Sequence, residues 1–377
     1  MNVAYFSNQF AQAAGHGIAR YSRHLWAAMS EVQGDHHVIP VAAWSDRDES
    51  SISDLREKTG VRLLPWGRRW TPLAWTYIGF PKLESWLNDI DVVHAVALGY
   101  PIATKKPFVV TVHDIGPLTH PEYFSASPPW IMKRALKQSI RDAKAFICVS
   151  QATADELVRY VKAQHHVDLT ERVEVIHEGV EERFFDSPDD SSLSNLKIPE
   201  EPFLLTAGAI SPRKNLQGVI ASLAKLKDKI PHHLVTVGGK GWGVTELENL
   251  VEQNGLQDRV HLMGYVTDEQ LRALYARASA YLHPSLFEGF GLTVLEAMAS
   301  GCPVITSNVF SLPEIAGDAA ILVNPSDENE LADAIEKVCL DSNVSERLRK
   351  DGLVHARSFE WETAARKTVE VYRRVVG

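Results

Sequence analysis

The sequence predicts an α/β protein of two doubly wound, Rossmann-like domains facing across a cleft. Three observations carry this. The chain opens on a short apolar strand, a glycine-containing loop (Ala14 to Arg20) and a helix with Ile18, Tyr21, Leu25 and Met29 at helical spacing. Near-continuous Val/Ile runs then recur between polar turns, the signature of parallel strands buried on both faces. After a polar stretch at 186–194 that contains proline and serine, the whole pattern restarts.

In chain order, strands are expected at 2–7, 38–43, 92–96, 108–112, 145–149 and 173–176, with helices including 131–143 and 151–162 between them. The second half offers strands at 203–208, 233–239, 260–263, 280–282, 304–306 and 320–323, each separated by a helical segment. Helices at 328–340 and 345–358 follow. A final helix at 360–377 is expected to pack back on the first domain. The domains read as 1–186 and 201–359, with 187–200 as linker. Two such domains put two sets of strand C-terminal ends face to face, and ligands bind outside those ends.

The chain has 377 residues and 45% hydrophobic residues, the composition of an ordinary globular protein. A net charge of −9 argues against non-specific nucleic-acid binding. Cys148, Cys302 and Cys339 have no paired spacing, so they read as buried thiols in a reducing compartment. No apolar run approaches the ~18 residues of a membrane span, and the N-terminus reads as a first strand, not a signal peptide. The expected location is the cytoplasm, with peripheral membrane contact as an addition.

The chemistry concentrates in His283 to Ile305. Gly289 and Gly291 flank Phe290, so the backbone can approach a ligand closely there. The helix beginning near Leu292 and Thr293 aims its N–H groups and positive dipole end into the turn, a site for phosphate. Glu288 and Glu296 bracket that site, and sugar hydroxyls are the usual partners for such carboxylates. After the strand at 203–208 come Gly208 and then Arg213-Lys214, a planar fork beside a compact charge, suited to a diphosphate.

With these residues in these positions, the second half resembles the donor-binding domain of glycosyltransferase family 4, the retaining nucleotide-sugar transferases of GT-B fold. The resemblance rests on Gly208 with Pro212-Arg213-Lys214-Asn215, Val237-Gly238-Gly239, Val260 to Val266, Phe287-Glu288-Gly289-Phe290-Gly291-Leu292 to Glu296, Ala299 to Ile305, and Leu312 to Ile315. The two glutamates with seven residues between them are that family's hallmark. The first half matches at Gly15 to Tyr21, Thr111 to Asp114, Val149-Ser150 and Ile176 to Val180, where the family has its acceptor-side landmarks. One departure is Ala14-Gly15-His16-Gly17, where many members have Gly-Gly-x. The resemblance implies roles. Arg213 and Lys214 would neutralise the departing nucleoside diphosphate. Glu288 would bind the transferred sugar and steady positive charge at its anomeric carbon, and Glu296 would hold the ribose. The amides of Gly289 to Thr293 would cradle phosphate, His113 would lie near the sugar, and Gly17, with Gly15, would pass close to the diphosphate. Gly238 and Val266 complete the donor set.

Asp89-Ile90-Asp91 has the spacing of a metal-binding Asp-x-Asp but sits at the entry end of a strand, so it reads as a turn cap and no metal is expected. Among the histidines, His113 and His283 stand at strand ends. Residues 62–82 carry Arg62, Arg68, Arg69 and Lys82 with Trp66, Trp70, Trp75, Tyr77 and Phe80, and no acid. Residues 131–144 carry Lys133, Arg134, Lys137, Arg141 and Lys144 around an apolar stripe. Contact with anionic lipid is one expectation for both stretches. An ordered loop that buries its tryptophans, and a scaffold helix with a solvated face, are the competing ones.

The expected function is metal-independent, retaining transfer of a hexose to a glycan or lipid-linked saccharide. The runs 307–314 and 17–21 look most like bacterial mannosyltransferases of surface-polysaccharide pathways. GDP-mannose is therefore the favoured co-substrate, with UDP-glucose or another UDP-sugar second and no cofactor beyond it. A sugar-nucleotide 2-epimerase and an inactive nucleotide-sugar-binding partner are the rivals. The intact glutamate pair argues against the first, and intact Arg213, Lys214, Glu288 and Glu296 against the second.

Overall fold

The computed structural model describes every residue except 14–16, 125–128 and 240–243. The chain divides into two compact units, one of Met1–Pro121, Ala126–Gly179 and Glu360–Gly377, the other of Glu122–Ser125 and Val180–Phe359.

In the first unit β1 (Asn2–Phe6), α1 (Gly17–Glu31), β2 (His37–Ala42), α2 (Glu49–Thr59), β3 (Arg62–Leu63) and α3 (Gly67–Tyr77) come first. Then follow β4 (Val92–Ala95), β5 (Phe108–Val112), α4 (Gly116–Thr119), α5 (Pro129–Asp142), β6 (Ala145–Cys148), α6 (Gln151–His165) and β7 (Val173–Val175). The sheet runs β3-β2-β1-β4-β5-β6-β7, with parallel pairing throughout. Strands β4, β5 and β6 are buried along their whole length, as their unbroken apolar runs require. Asp91 accepts the Asn2 N–H at 2.7 Å and the Asp89 carbonyl accepts from the Asn2 side chain. Both aspartates thus tie the entry ends of β1 and β4.

The second unit holds β8 (Phe203–Ala207), α7 (Leu216–Lys225), β9 (His233–Val237), α8 (Val244–Gln253), β10 (Val260–Gly264), α9 (Asp268–Arg277) and β11 (Ala280–His283). It continues through α10 (Leu292–Ala299), β12 (Val304–Ser307), α11 (Leu312–Ala316), β13 (Ile321–Val323), α12 (Glu328–Leu340) and α13 (Ser342–Ala356). The sheet order is β10-β9-β8-β11-β12-β13, again parallel. Local capping sets several boundaries. Asp341 accepts from Asn343 and Val344, which starts α13 three residues earlier than expected. Thr267 and Gln270 form a reciprocal capping box at α9.

Three differences from the sequence reading have physical causes. The change of unit falls at Gly179–Val180, ahead of Asp186. The stretch 187–200 packs within the second unit, where Leu193 is buried and Gln270 of α9 donates to the Ser192 carbonyl. Residues 62–82 are largely helical. In that helix Thr71, Ala74 and Trp75 face inward and the remaining tryptophans do not.

The last helix, α14 (Trp361–Val376), belongs to the first unit and packs on α1. A Cβ on Gly179 would stand 2.2 Å from the Trp361 backbone nitrogen, so glycine is what lets α14 begin there. Deeper in, the Tyr372 hydroxyl lies 2.5 Å from His94 Nδ1, and His94 Nε2 lies 2.8 Å from Thr111 Oγ1. Burial, with His113 nearby, pushes His94 down to about 3, so its ring is neutral. Tyr372→Phe leaves that buried Nδ1 without its hydroxyl and should cost about 1–3 kcal/mol, read as a lower midpoint in urea.

Candidate functional site

The second unit's strand order reverses between β8 and β11, and the loops that leave these two neighbours carry the candidate residues. A doubly wound sheet places its ligand crevice at such a reversal. The β8 loop turns at Gly208, with φ of 124°, and continues into a one-turn 3₁₀ helix, Pro212–Lys214. Asn215, in the left-handed region, ends that turn and caps α7 by accepting from Gly218. The β11 loop runs through Ser285 to Gly291, whose φ of 115° starts α10. Leu286 N–H donates to the Arg213 carbonyl at 2.7 Å and locks the two loops together. Gly238 lies hard against the first loop, since a Cβ there would be 2.0 Å from the Gly208 carbonyl oxygen.

This arrangement brings Arg213, Lys214 and Glu288 into direct contact. Glu288 Oε2 is 2.8 Å from Arg213 Nη1, and Oε1 is 2.7 Å from Lys214 Nζ. Only 11% of the Glu288 side chain and 13% of the Lys214 side chain reach solvent. Burial alone would raise the Glu288 carboxyl, but the two cations hold it well below the usual range. Burial lowers the Lys214 ammonium, and Arg213 adds to that while Glu288 opposes it. One carboxylate between two cations leaves a net positive site, which suits an incoming anion.

His283, at the end of β11, forms the floor. Its Nε2 is 3.3 Å from Glu288 Oε1 and its Nδ1 is 3.0 Å from the Tyr281 hydroxyl. Burial first, and then Lys214, push His283 down to about 4. The ring is therefore neutral, and Tyr281, whose hydroxyl stays protonated in the interior, can donate to Nδ1 while Nε2–H donates to Glu288. Ser311 Oγ donates to the carbonyls of Glu288 and Phe290 and fixes the turn from the far side.

Most of the other expected donor residues lie in the same unit. Leu292 and Thr293 open α10 at its positive end, and Phe290 is buried against Phe359. A Cβ on Gly291 would meet Leu312 at 2.9 Å. Val266 is buried just beyond β10, and Gly238 N–H donates to the Gly264 carbonyl. Glu296, on α10, is buried and lies in the field of Tyr281. Gly15 lies outside the described residues. Gly17 is the first residue of α1 in the first unit.

His113 also stands in the first unit, at the end of β5. Its Nε2 is 2.9 Å from the Val96 carbonyl, its Nδ1 is 3.5 Å from Glu178, and the Tyr21 ring meets it edge-on at 4.6 Å. The sequence marks Glu178 only as a landmark, and no motif in it assigns Tyr281 or the Ser311 hydroxyl a contact in the site. Glu178 follows His177 just before the change of unit, and that position was the available signal. Among the described residues no group of three or more His, Cys, Asp or Glu could hold a metal.

Residues 189–353 match the model of glycosyl transferases group 1, and residues 15–184 that of Glycosyltransferase Family 4. The O-antigen chain mannosyltransferase B of Escherichia coli is 30% identical over 370 residues, 95% of this chain and 96% of that protein. Sucrose-phosphate synthase from Thermosynechococcus elongatus superposes with a TM-score of 0.75 at 23% identity, over 99% of this chain and 98% of that one. HepE of Anabaena, solved with UDP and glucose, also gives 0.75, at 19% identity over 99% and 100%. These neighbours share the GT-B fold.

Two measurements check the electrostatics. Glu288→Gln strands the largely buried Lys214 and the part-exposed Arg213 and should cost on the order of 3 kcal/mol at pH 7, read by thermal shift without ligand. His283 titrates near 4 in the folded chain against 6.5 unfolded, so its stabilisation is complete above pH 6.5 and decays as pH falls toward 4. That difference amounts to about 3 kcal/mol, and His283→Gln should flatten the pH dependence of unfolding between those limits. Domain models that together cover most of the chain, and a relative matched from end to end, establish that the chain belongs to glycosyltransferase family 4.

Proposed function

We propose that this glycosyltransferase moves mannose from GDP-mannose to a glycan or lipid-linked saccharide, with retention of configuration and without a metal. Supporting the sugar is the full-length similarity to an O-antigen chain mannosyltransferase. The observation that carries the chemistry is the Arg213–Glu288–Lys214 cluster at the reversal of the second unit's sheet. Breaking the bond between the anomeric carbon and the β-phosphate oxygen leaves a diphosphate whose terminal phosphate is dianionic, and an oxocarbenium-like carbon. Arg213 and Lys214 supply fixed cations for the first, the task a divalent ion performs elsewhere, and α10 adds its positive end. Glu288, already ionised, can turn toward the sugar as the diphosphate takes over the two cations. The acceptor hydroxyl attacks from the face the leaving group vacates, and a departing phosphate oxygen takes its proton. The basic, aromatic stretches 62–82 and 131–144 touch the membrane that carries the acceptor.

A UDP-sugar donor is the second reading, favoured by the structural likeness to HepE, which was solved with UDP and glucose. Thermal shift with GDP, UDP and their sugars separates the two, since the right nucleotide stabilises by mass action. Lys214→Ala and Arg213→Ala should each lower transfer by about 10²–10³-fold. Wild-type turnover should persist in EDTA, and NMR of the product should show the donor's anomeric configuration. An inverted product, or activity abolished by EDTA and restored by a divalent ion, overturns the mechanism.

A further inference from the structure

Among the described residues of the first unit, α3 is the helix whose outer face is apolar. Trp70, Leu73 and Tyr77 lie at helical spacing on the side away from the buried Thr71 and Trp75, with Ala74 at the foot of the groove between them, and the stripe continues into Ile78 and Phe80. Exposure reaches 65% at Trp70, 60% at Tyr77 and 76% at Ile78. A groove of about 610 Å³ runs along this stripe, with Trp66 and Pro65 at one end. Contiguous apolar surface of this kind marks an interaction site.

The neighbouring helix supplies charge. The exposed face of α5 reads Trp130, Lys133, Arg134, Lys137, and its opposite face, Ala135, Leu136 and Ser139, is core. Arg134 joins the two helices. Its guanidinium stacks on Tyr77 at 4.6 Å and donates to the Thr76 carbonyl, and the Tyr77 and Trp130 rings lie 6.4 Å apart. Arg68 and Arg69 flank the stripe on α3, and neither helix carries an acid before Asp142. In a chain of net charge −9, this is a local cationic rim around exposed tryptophans.

We infer that α3 and α5 together form a docking face for an anionic lipid bilayer, with the α3 stripe entering the headgroup boundary and Arg69, Lys133 and Lys137 reading lipid phosphates. Tryptophan and tyrosine favour that boundary, having an apolar body and a polar tip. Basic side chains add roughly tenfold or less each to anionic-membrane affinity. The charge pattern selects this occupant over a second copy, because a self-paired face sets cation against cation. The face also adjoins a cavity of about 390 Å³ at the exits of β1 and β4, where Ile131 and Met132 of α5 meet Asn8, Trp44 and Tyr100. Aromatic rings and side-chain amides suit a neutral sugar, so a docked chain can receive the sugar end of a lipid-linked acceptor there while its lipid stays in the bilayer. That last point rests on the transferase reading.

The test is co-sedimentation of the full chain with phosphatidylcholine vesicles, with and without phosphatidylglycerol. Wild type should pellet with the anionic vesicles, lose binding as salt rises, and shift its tryptophan emission to the blue. Trp70→Ser/Leu73→Ser/Ile78→Ser should weaken binding by at least about tenfold at an unchanged melting temperature, because these side chains lie outside the core. Lys133→Glu/Lys137→Glu should abolish the preference for anionic lipid. Wild type remaining in the supernatant at low salt, equal binding to both vesicle types, or a dimer in sedimentation velocity that the triple substitution dissolves would each overturn the inference. Transfer to a water-soluble acceptor reports separately. It should match wild type in the triple variant, and its absence in wild type would count against the transferase reading and leave vesicle binding untouched.

Discussion

The second unit's active edge depends on one carboxylate held between two cations. Arg213 and Lys214 sit where their desolvated charges would repel each other and the positive end of α10. Glu288 makes that crowding tolerable, and His283 beneath it stays neutral because burial first, and then Lys214, disfavour a second proton on its ring. The result is a pair of cations held charged and in place by one carboxylate, and fixed charge of this kind is what electrostatic stabilisation uses.

The first unit solves a related problem with neutral groups. Tyr372, His94, Thr111 and Tyr21 form a buried polar chain, and the Tyr21 ring then rests against His113. The last helix of the chain therefore supports, through four side chains, the histidine at the exit of β5. A polar chain of this kind fixes rotamers that an apolar core would leave free, provided every member has a partner.

Most of the fold was legible in the sequence because strand identity is a local property. The runs at 108–112 and 328–340 matched their elements residue for residue, and most others differ by one to three residues. The helix at 67–77 was not legible, since Gly67, Pro72 and its aromatics are poor helix formers and only packing of Trp75 and Ala74 secures it. The unit boundary was misplaced because polarity at 186–194 reports exposure, whereas the change of packing partner occurs at Gly179. Within the site, residue types were readable and pairings were not. Glu288 lies 74 positions from Lys214, and no periodicity states that its oxygens meet both cations. The same holds for Glu178 beside His113.

The contact between Gly238 and Gly208 has a consequence of another kind. The loops after β8 and β9 touch backbone to backbone, with no room for a methyl group between them. The loop that carries Arg213 and Lys214 thus rests on a support that point substitution cannot enlarge. Chains diverging from this one can alter the side chains around that edge, as at Ser311, but they cannot shift the two cations by substitution at these glycines. The placing of the paired cations is the rigid part of this protein's inheritance, and the side chains around them are the part left open to variation.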